Sequence, residues 1–285
     1  VQSTLPTATD DSLTIDAFSQ HLINQDAPPD MPLVVISGLA MTSESHGLLL
    51  WGAHNAVNQL CVGGFRGPQI QIKGQYAHDN KIEGCYIGLY PDGQSSFDDP
   101  ENAGLPVTFS KGISIINTSF NNSIGGAEDF QRNIICNMYA EAILIEDSDG
   151  NIVQGNFIGV AADGRTPAGN GWKDVPRYNT EERLVSRFPG IALLAAASLN
   201  TIGGSNSSER NVICASGRAG IRIQGDEVDG NAVKGNYIGV GSDGFAGQNL
   251  GNAEAGVKIM SGAQRNTIGG EAVSDGNIIS GNGSS

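Results

Sequence analysis

The side chains that could do chemistry in this 285-residue chain fall into loose groups without a familiar spacing. Asp92, Asp98, Asp99 and Glu101 crowd the turn-rich segment 91–106, PDGQSSFDDPENAGLP. Several carboxylates together suit a hard cation, which makes calcium the one candidate ion, although the spacing fits neither an EF-hand nor a nonapeptide repeat. A solvated acidic loop accounts for the same residues. Residues 165–188 hold Arg165, Lys173, Arg177, Arg183 and Arg187, five of the chain's 16 basic residues, together with Trp172 and Tyr178. Long excursions on rigid scaffolds often carry function, so Trp172, Arg177 and Tyr178 are candidate ligand contacts. The plainer reading is a loop with a short helix over 180–185. His21, His46, His54 and His78 all lie in the first third and show no metal-ligand spacing such as H-x-x-x-H. No G-x-S-x-G, P-loop or zinc pattern is present.

The elements that must position these residues are repeats. NAVKGNYIGVGSDG at 231–244 has copies at 151–164, NIVQGNFIGVAADG, and at 80–93, NKIEGCYIGLYPDG. Between them sit NSIGG at Asn122 and NTIGG at Asn200 and Asn266. Each is followed by a short apolar run: RNIIC from Arg132, RNVIC from Arg210 and GNIIS from Gly276. Asn58 to Gly64, NQLCVGG, reads as a degenerate copy of the IGG unit. A third unit alternates apolar and other residues at Ile113, Ile143, Ile191, Ile221 and Val257, with period two. Its short β-branched runs, bounded by Gly, Asn and Asp, are strand signals. A single coil of about three such strands cannot bury its apolar stripe alone; stacked coils can. The repeat therefore spans two coils, one compact and one with a variable loop after the DG turn.

These motifs resemble the bacterial secreted repeat proteins of the pectin-lyase-like superfamily, whose coils read N-x-I-G-G, R-N-V-I-S-G-N and G-N-Y-I-G-T-D. The resemblance runs from about Pro32 to the C-terminus and implies an all-β, right-handed parallel β-helix of about seven coils. The whole chain, 1–285, then forms one domain, with 1–31 as an irregular first coil. Cys85 stands where the pattern has Asn, and Cys136 and Cys214 where it has Ser. Asn80, Asn151 and Asn231, and Asn133, Asn211 and Asn277, read as stacked turn residues that bond along the axis. Asp92, Asp163 and Asp243 read as turn residues of the DG corners, and Tyr86, Phe157 and Tyr237 as one repeated packing slot. Cys136 and Cys214, two coils and so roughly 10 Å apart, lie too far apart for a disulfide. Cys61 and Cys85, on adjacent coils, could pair.

Alternation also gives the outer face of the sheet on which β-helix lyases, hydrolases and epimerases work. One column should run Leu49, Gln71, Ser114, Leu144, Ala192, Arg222, Lys258; its neighbour Trp51, Lys73, Ile116, Glu146, Leu194, Gln224, Met260. Glu146 is the lone acid, so paired glycosidase carboxylates are not visible. Glu146, Arg222, Lys258 and Lys73 are the only catalytic candidates on this face. Arg222 and Lys258 should repel unless an anion or acid intervenes. Ile116, Leu144 and Leu194 form an apolar patch that the 165–188 insertion or another chain should cover.

A net charge of −14 excludes a basic footprint for nucleic acid, and no run is long and apolar enough for direct membrane insertion. Gly, 40 of 285, fits many left-handed turns better than disorder. The chain stops at a coil boundary without an amphipathic cap, so it reads as part of a longer protein or a unit that stacks end to end. Sequons at Asn117, Asn121, Asn206 and Asn282 matter only in a glycosylating host. The favoured function is a non-catalytic extracellular or cell-surface scaffold, adhesin-like or filament-forming, able to contact glycans. Its partners would be copies of itself, other surface proteins or polysaccharide. The alternative is a carbohydrate-active lyase, epimerase or hydrolase.

Overall fold

The computed structural model describes residues 5–17, 31–41, 45–97, 110–176 and 183–283. Three parallel sheets of seven or eight strands, each stepping through the chain one strand per coil, form a right-handed parallel β-helix. Sheet 1 begins with Leu48–Leu50 and Ile70–Lys73 and continues through Ile113–Ile116, Ile143–Glu146, Ile191–Leu194 and Ile221–Gln224 to Val257–Met260. Sheet 2 takes the N-x-I-G strands, such as Ser123–Ile124 and Thr201–Gly203. Sheet 3 takes the Y-I-G and R-N-I-I strands, such as Tyr86–Ile87 and Ile134–Ile135. Ile113, Ile143, Ile191, Ile221 and Val257 pair in one column, as the alternation predicts.

The inward residues of all three sheets make one continuous core: Ile70, Ile113, Ile143, Ile191 and Ile221 have no exposed surface. Each contributes about 2 kcal/mol of burial. A second apolar layer lies outside sheet 3, where Tyr86, Phe157, Cys61 and Cys136 are covered by Leu89, Phe97, Val160 and Leu250 of the loops. The arginines of the R-N-I-I units roof this layer. Arg132 stands 4.5 Å over the Phe157 ring and Arg210 4.0 Å over the Tyr237 ring, a cation–π contact repeated two coils apart. The glycine of each Y-I-G is obligatory. Gly88 and Gly159 have φ of 85° and 75°, and a Cβ there would sit 2.0 Å from the Cys136 and Cys214 carbonyl oxygens.

The corners are closed by stacked asparagines. At the entry to sheet 2, Asn55, Asn80, Asn122, Asn151, Asn200, Asn231 and Asn266 form one ladder. From Asn80 onward the side-chain oxygen of each accepts the backbone N–H of the preceding coil's asparagine, and that of Asn55 accepts the Leu13 N–H. From Asn80 onward the side-chain amides are linked in the same direction. At the entry to sheet 3, Asn133, Asn156, Asn211, Asn236 and Asn277 repeat the arrangement. Cys85 occupies this slot one coil earlier. It donates its N–H to Asn133, but its thiol cannot extend the ladder. Shorter links join Asn252 to Asn282 at a third corner.

Three expectations need correction. Leu60–Gly63 belongs to sheet 3, pairing with Tyr86–Ile87, so residues 58–64 are not a copy of the IGG unit of sheet 2. The 165–188 insertion is an antiparallel hairpin, Trp172–Pro176 against Arg183–Arg187, not a helix over 180–185. Its arms satisfy each other's backbone groups; residues 180–182 lie outside the described residues. Cys61 and Cys85 are both free thiols. They cannot meet, because Cys85 points into the central core and Cys61 into the outer layer.

Two outcomes follow from this packing. Asn151→Ala strips Asn122 of two buried acceptor contacts and Asn200 of a donor; it should cost about 3 kcal/mol, read as a lowered urea midpoint. Burial pushes the Cys214 thiol up to about 12 and raises those of Cys61, Cys85 and Cys136. A thiol reagent should therefore label none of the four in the native protein and all four after denaturation.

Candidate functional site

The outward columns of sheet 1 run as the alternation predicts, Leu49 through Lys258 and Lys73 through Met260. The candidate catalytic residues do not converge. Lys73 and Glu146 are separated by the coil of Ile116, and Glu146 and Arg222 by the coil of Leu194. Glu146 is exposed and makes no ion pair among the described residues. The apolar patch is smaller than expected. Leu144 is buried, with Ser114 and Ala192 on either side of it also buried, and only Ile116 and Leu194 remain partly exposed.

Arg222 and Lys258 are adjacent, and acids do intervene. The Arg222 guanidinium lies 3.8 Å from the Glu141 carboxylate, and Lys258 Nζ lies 3.1 Å from Glu254 Oε2. Glu141 sits at the start of the coil that carries Leu144. Arg222 therefore reaches along the axis past Ala192, whose small side chain leaves the room. Glu141 is 3 % exposed, and its Oε2 and the Arg222 Nε are buried without a hydrogen-bond partner. Burial is the main influence on Arg222 and lowers its pKa, against the pull of Glu141. Alternation on the strands could not reveal Glu141, because it precedes its strand at the corner.

The acidic and aromatic candidates resolve unevenly. Asp92 is consumed by its own turn: Oδ1 accepts the N–H groups of Gln94 and Ser95, and Oδ2 accepts the Ser95 hydroxyl at 2.5 Å. Asp163 repeats this with Arg165 and Thr166, and Arg165 pairs with Asp243 of the next DG turn. Asp98, Asp99 and Glu101 lie outside the described residues, as do Arg177 and Tyr178. Trp172 opens the first arm of the hairpin.

What the sequence reading missed is the corner between sheets 1 and 2 at the first described coils. Thr9, Asp11, Trp51, Gly52, Lys73–Tyr76 and Asn117 line an open cleft of about 670 Å³. Trp51 and Tyr76, on consecutive coils, are 47 % and 71 % exposed. Lys73 is half-buried and has no ion-pair partner among the described residues. The same turns run on to His54, His78 and Asp79, whose potential ligand atoms all lie within 4.8 Å of one another. Neither the cleft nor this group has a spacing recognisable along the chain. The usable signal was the ladder register: His54 precedes Asn55 and Asp79 precedes Asn80, so the two share one slot on adjacent coils. No protein-family model and no curated protein matches the chain.

The turn carboxylates make stability pH-dependent. The Ser95 hydroxyl and the Gln94 and Ser95 N–H groups hold Asp92 below the usual carboxylate range, and the Asn206 N–H and side-chain amide do the same for Glu209. A group held down in the fold stabilises it above the unfolded value and loses that contribution as pH falls through the lowered one. The unfolding temperature should thus be level from neutral pH to about 5 and fall below about 4. Asp92→Asn should shrink that fall.

Proposed function

We propose that the chain is a non-catalytic, extracellular or cell-surface scaffold of the pectin-lyase-like kind, which contacts glycan at the cleft between Trp51 and Tyr76. The observation that carries this reading is the cleft itself. It sets two exposed aromatic rings beside Lys73, which has no ion-pair partner among the described residues, with Asp11 and Asn117 in the lining, on a backbone held by ladders. Such a surface offers apolar ring faces together with a few fixed polar groups, the usual make-up of a ligand site. Lys73 favours an acidic sugar. The chain's charge of −14 suits solubility and disfavours anionic polymers elsewhere on the surface. Adhesion to other surface proteins, or self-association, would use the partly exposed Ile116 and Leu194.

One observation favours a catalytic reading: the buried Glu141 at the corner before sheet 1 and the half-buried Arg222 on its outer face, each with an unpaired polar atom. Charged pairs of this kind occur at active sites but also in purely structural networks. The Arg222–Glu141 pair spans coils with small residues between them, which a structural strut explains.

Binding to acidic and neutral polysaccharides by affinity electrophoresis separates these readings. Trp51→Ala and Tyr76→Ala should each weaken retardation about tenfold, equivalent to about 1.4 kcal/mol, and Lys73→Gln should weaken it only for acidic polymers. Turnover of any polymer that vanishes in Glu141→Gln, with Trp51→Ala unaffected, would replace the scaffold by the enzyme.

A further inference from the structure

At the corner between sheets 1 and 2, the residue before each ladder asparagine adopts the left-handed conformation. It is His54 at φ 56°, Asp79 at 54°, Asn121 at 54°, Leu199 at 58° and Arg265 at 49°, with glycine at 150 and 230. Where it is not glycine, this slot projects an exposed side chain. Backbone bonds fix its register: the His54 N–H donates to the His78 carbonyl at 3.0 Å and the Asp79 N–H to the Phe120 carbonyl at 3.3 Å. Two imidazoles and a carboxylate are thereby brought to one point from two consecutive coils. The His78 ring stacks on Phe120, with centroids 4.6 Å apart and planes 15° apart, and meets the His54 ring edge-on at 5.5 Å. Asp79 Oδ2 lies 2.7 Å from His78 Nδ1.

We propose that His54, His78 and Asp79 bind one divalent transition-metal ion of the zinc class. Two imidazole nitrogens and a carboxylate oxygen form a borderline donor set. It matches zinc, copper or nickel and is poor for calcium or magnesium, which take oxygen ligands. Bonds of about 2.0–2.2 Å to a tetrahedral ion place ligand atoms about 3.4 Å apart. The atoms here lie within 4.8 Å, so side-chain rotation closes the set without moving backbone. His54 is exposed and free to turn, and Asp79, also exposed, would exchange its contact with His78 Nδ1 for the ion. His78 is not, because Phe120 holds its ring, which lowers the ordering cost of binding. Three protein ligands leave one position open, at the end of the turns that line the Trp51–Tyr76 cleft. The ion would bridge two consecutive coils. Its binding does not require the cleft to hold a glycan.

The test uses the whole chain and zinc alone. Equilibrium dialysis should show one zinc per chain, and zinc should raise the unfolding temperature. His54→Asn, chosen because asparagine tolerates the left-handed backbone, and His78→Phe, which keeps a ring on Phe120, should each weaken uptake tenfold or more. Their metal-free unfolding temperatures should match the parent protein's. Cobalt(II) bound to the unmodified chain should give the visible absorption of a tetrahedral nitrogen–oxygen site, a readout that needs no variant. Failure of the unmodified chain to take up the ion at about 1 mM would overturn the proposal. Equal uptake by the His54→Asn/His78→Phe double variant would also overturn it, by placing the metal elsewhere on the chain.

Discussion

The fold depends on one recurring problem: a chain that turns sharply three times per coil buries backbone amides at the corners, where no neighbouring strand can accept them. Asparagine solves it because one short side chain carries both an acceptor and donors. Asn122 accepts from Asn80, donates to Asn151, and returns its remaining amide proton to the Ala77 carbonyl. Aspartate would keep the acceptor, lose the donors and bury a charge. Glutamine would reach too far. The core isoleucines supply most of the driving force, but they would tolerate slippage; the ladders forbid it, since each rung fixes one coil against the next.

That division of labour explains how the surface is organised. Sheets 1 and 3 each carry a second layer outside the core. On sheet 3 it is apolar and roofed by Arg132 and Arg210 over aromatic rings. On sheet 1 it is a closed column through Leu144 and Ala192 that ends in the Glu141–Arg222 pair. A half-buried pair of this kind, with unpaired polar atoms, contributes little net stability but makes loss of one partner expensive. Cys85, a thiol in a ladder slot, marks where the second ladder begins.

Much of the fold was legible in the sequence, because a repeat states its register many times. The pairing of Ile113, Ile143, Ile191, Ile221 and Val257, and the outward columns beside them, follow from period-two alternation alone. Asn80, Asn151 and Asn231 were legible as stacked turn residues. That Asn122, Asn200 and Asn266 fill the gaps between them required knowing that both kinds of coil share the corner. Residues 58–64 misled because a Gly-Gly after an apolar run occurs at the ends of strands in both sheet 2 and sheet 3. The arms of the 165–188 hairpin pair only with each other, so no repeat announced them. The chemistry was least legible. Glu141, His54 and Asp79 sit at corners, where spacing along the chain says nothing and only the coil number brings them together.

The left-handed slot ahead of each ladder asparagine has a further implication. Its occupants here are histidine, aspartate, asparagine, leucine, arginine and glycine, so the interior places almost no demand on their identity. A row of interchangeable pegs at the pitch of a β-sheet is an evolutionary convenience. Two substitutions one winding apart can create a new recognition pair without disturbing the spool that carries them, and the same two can be erased as easily.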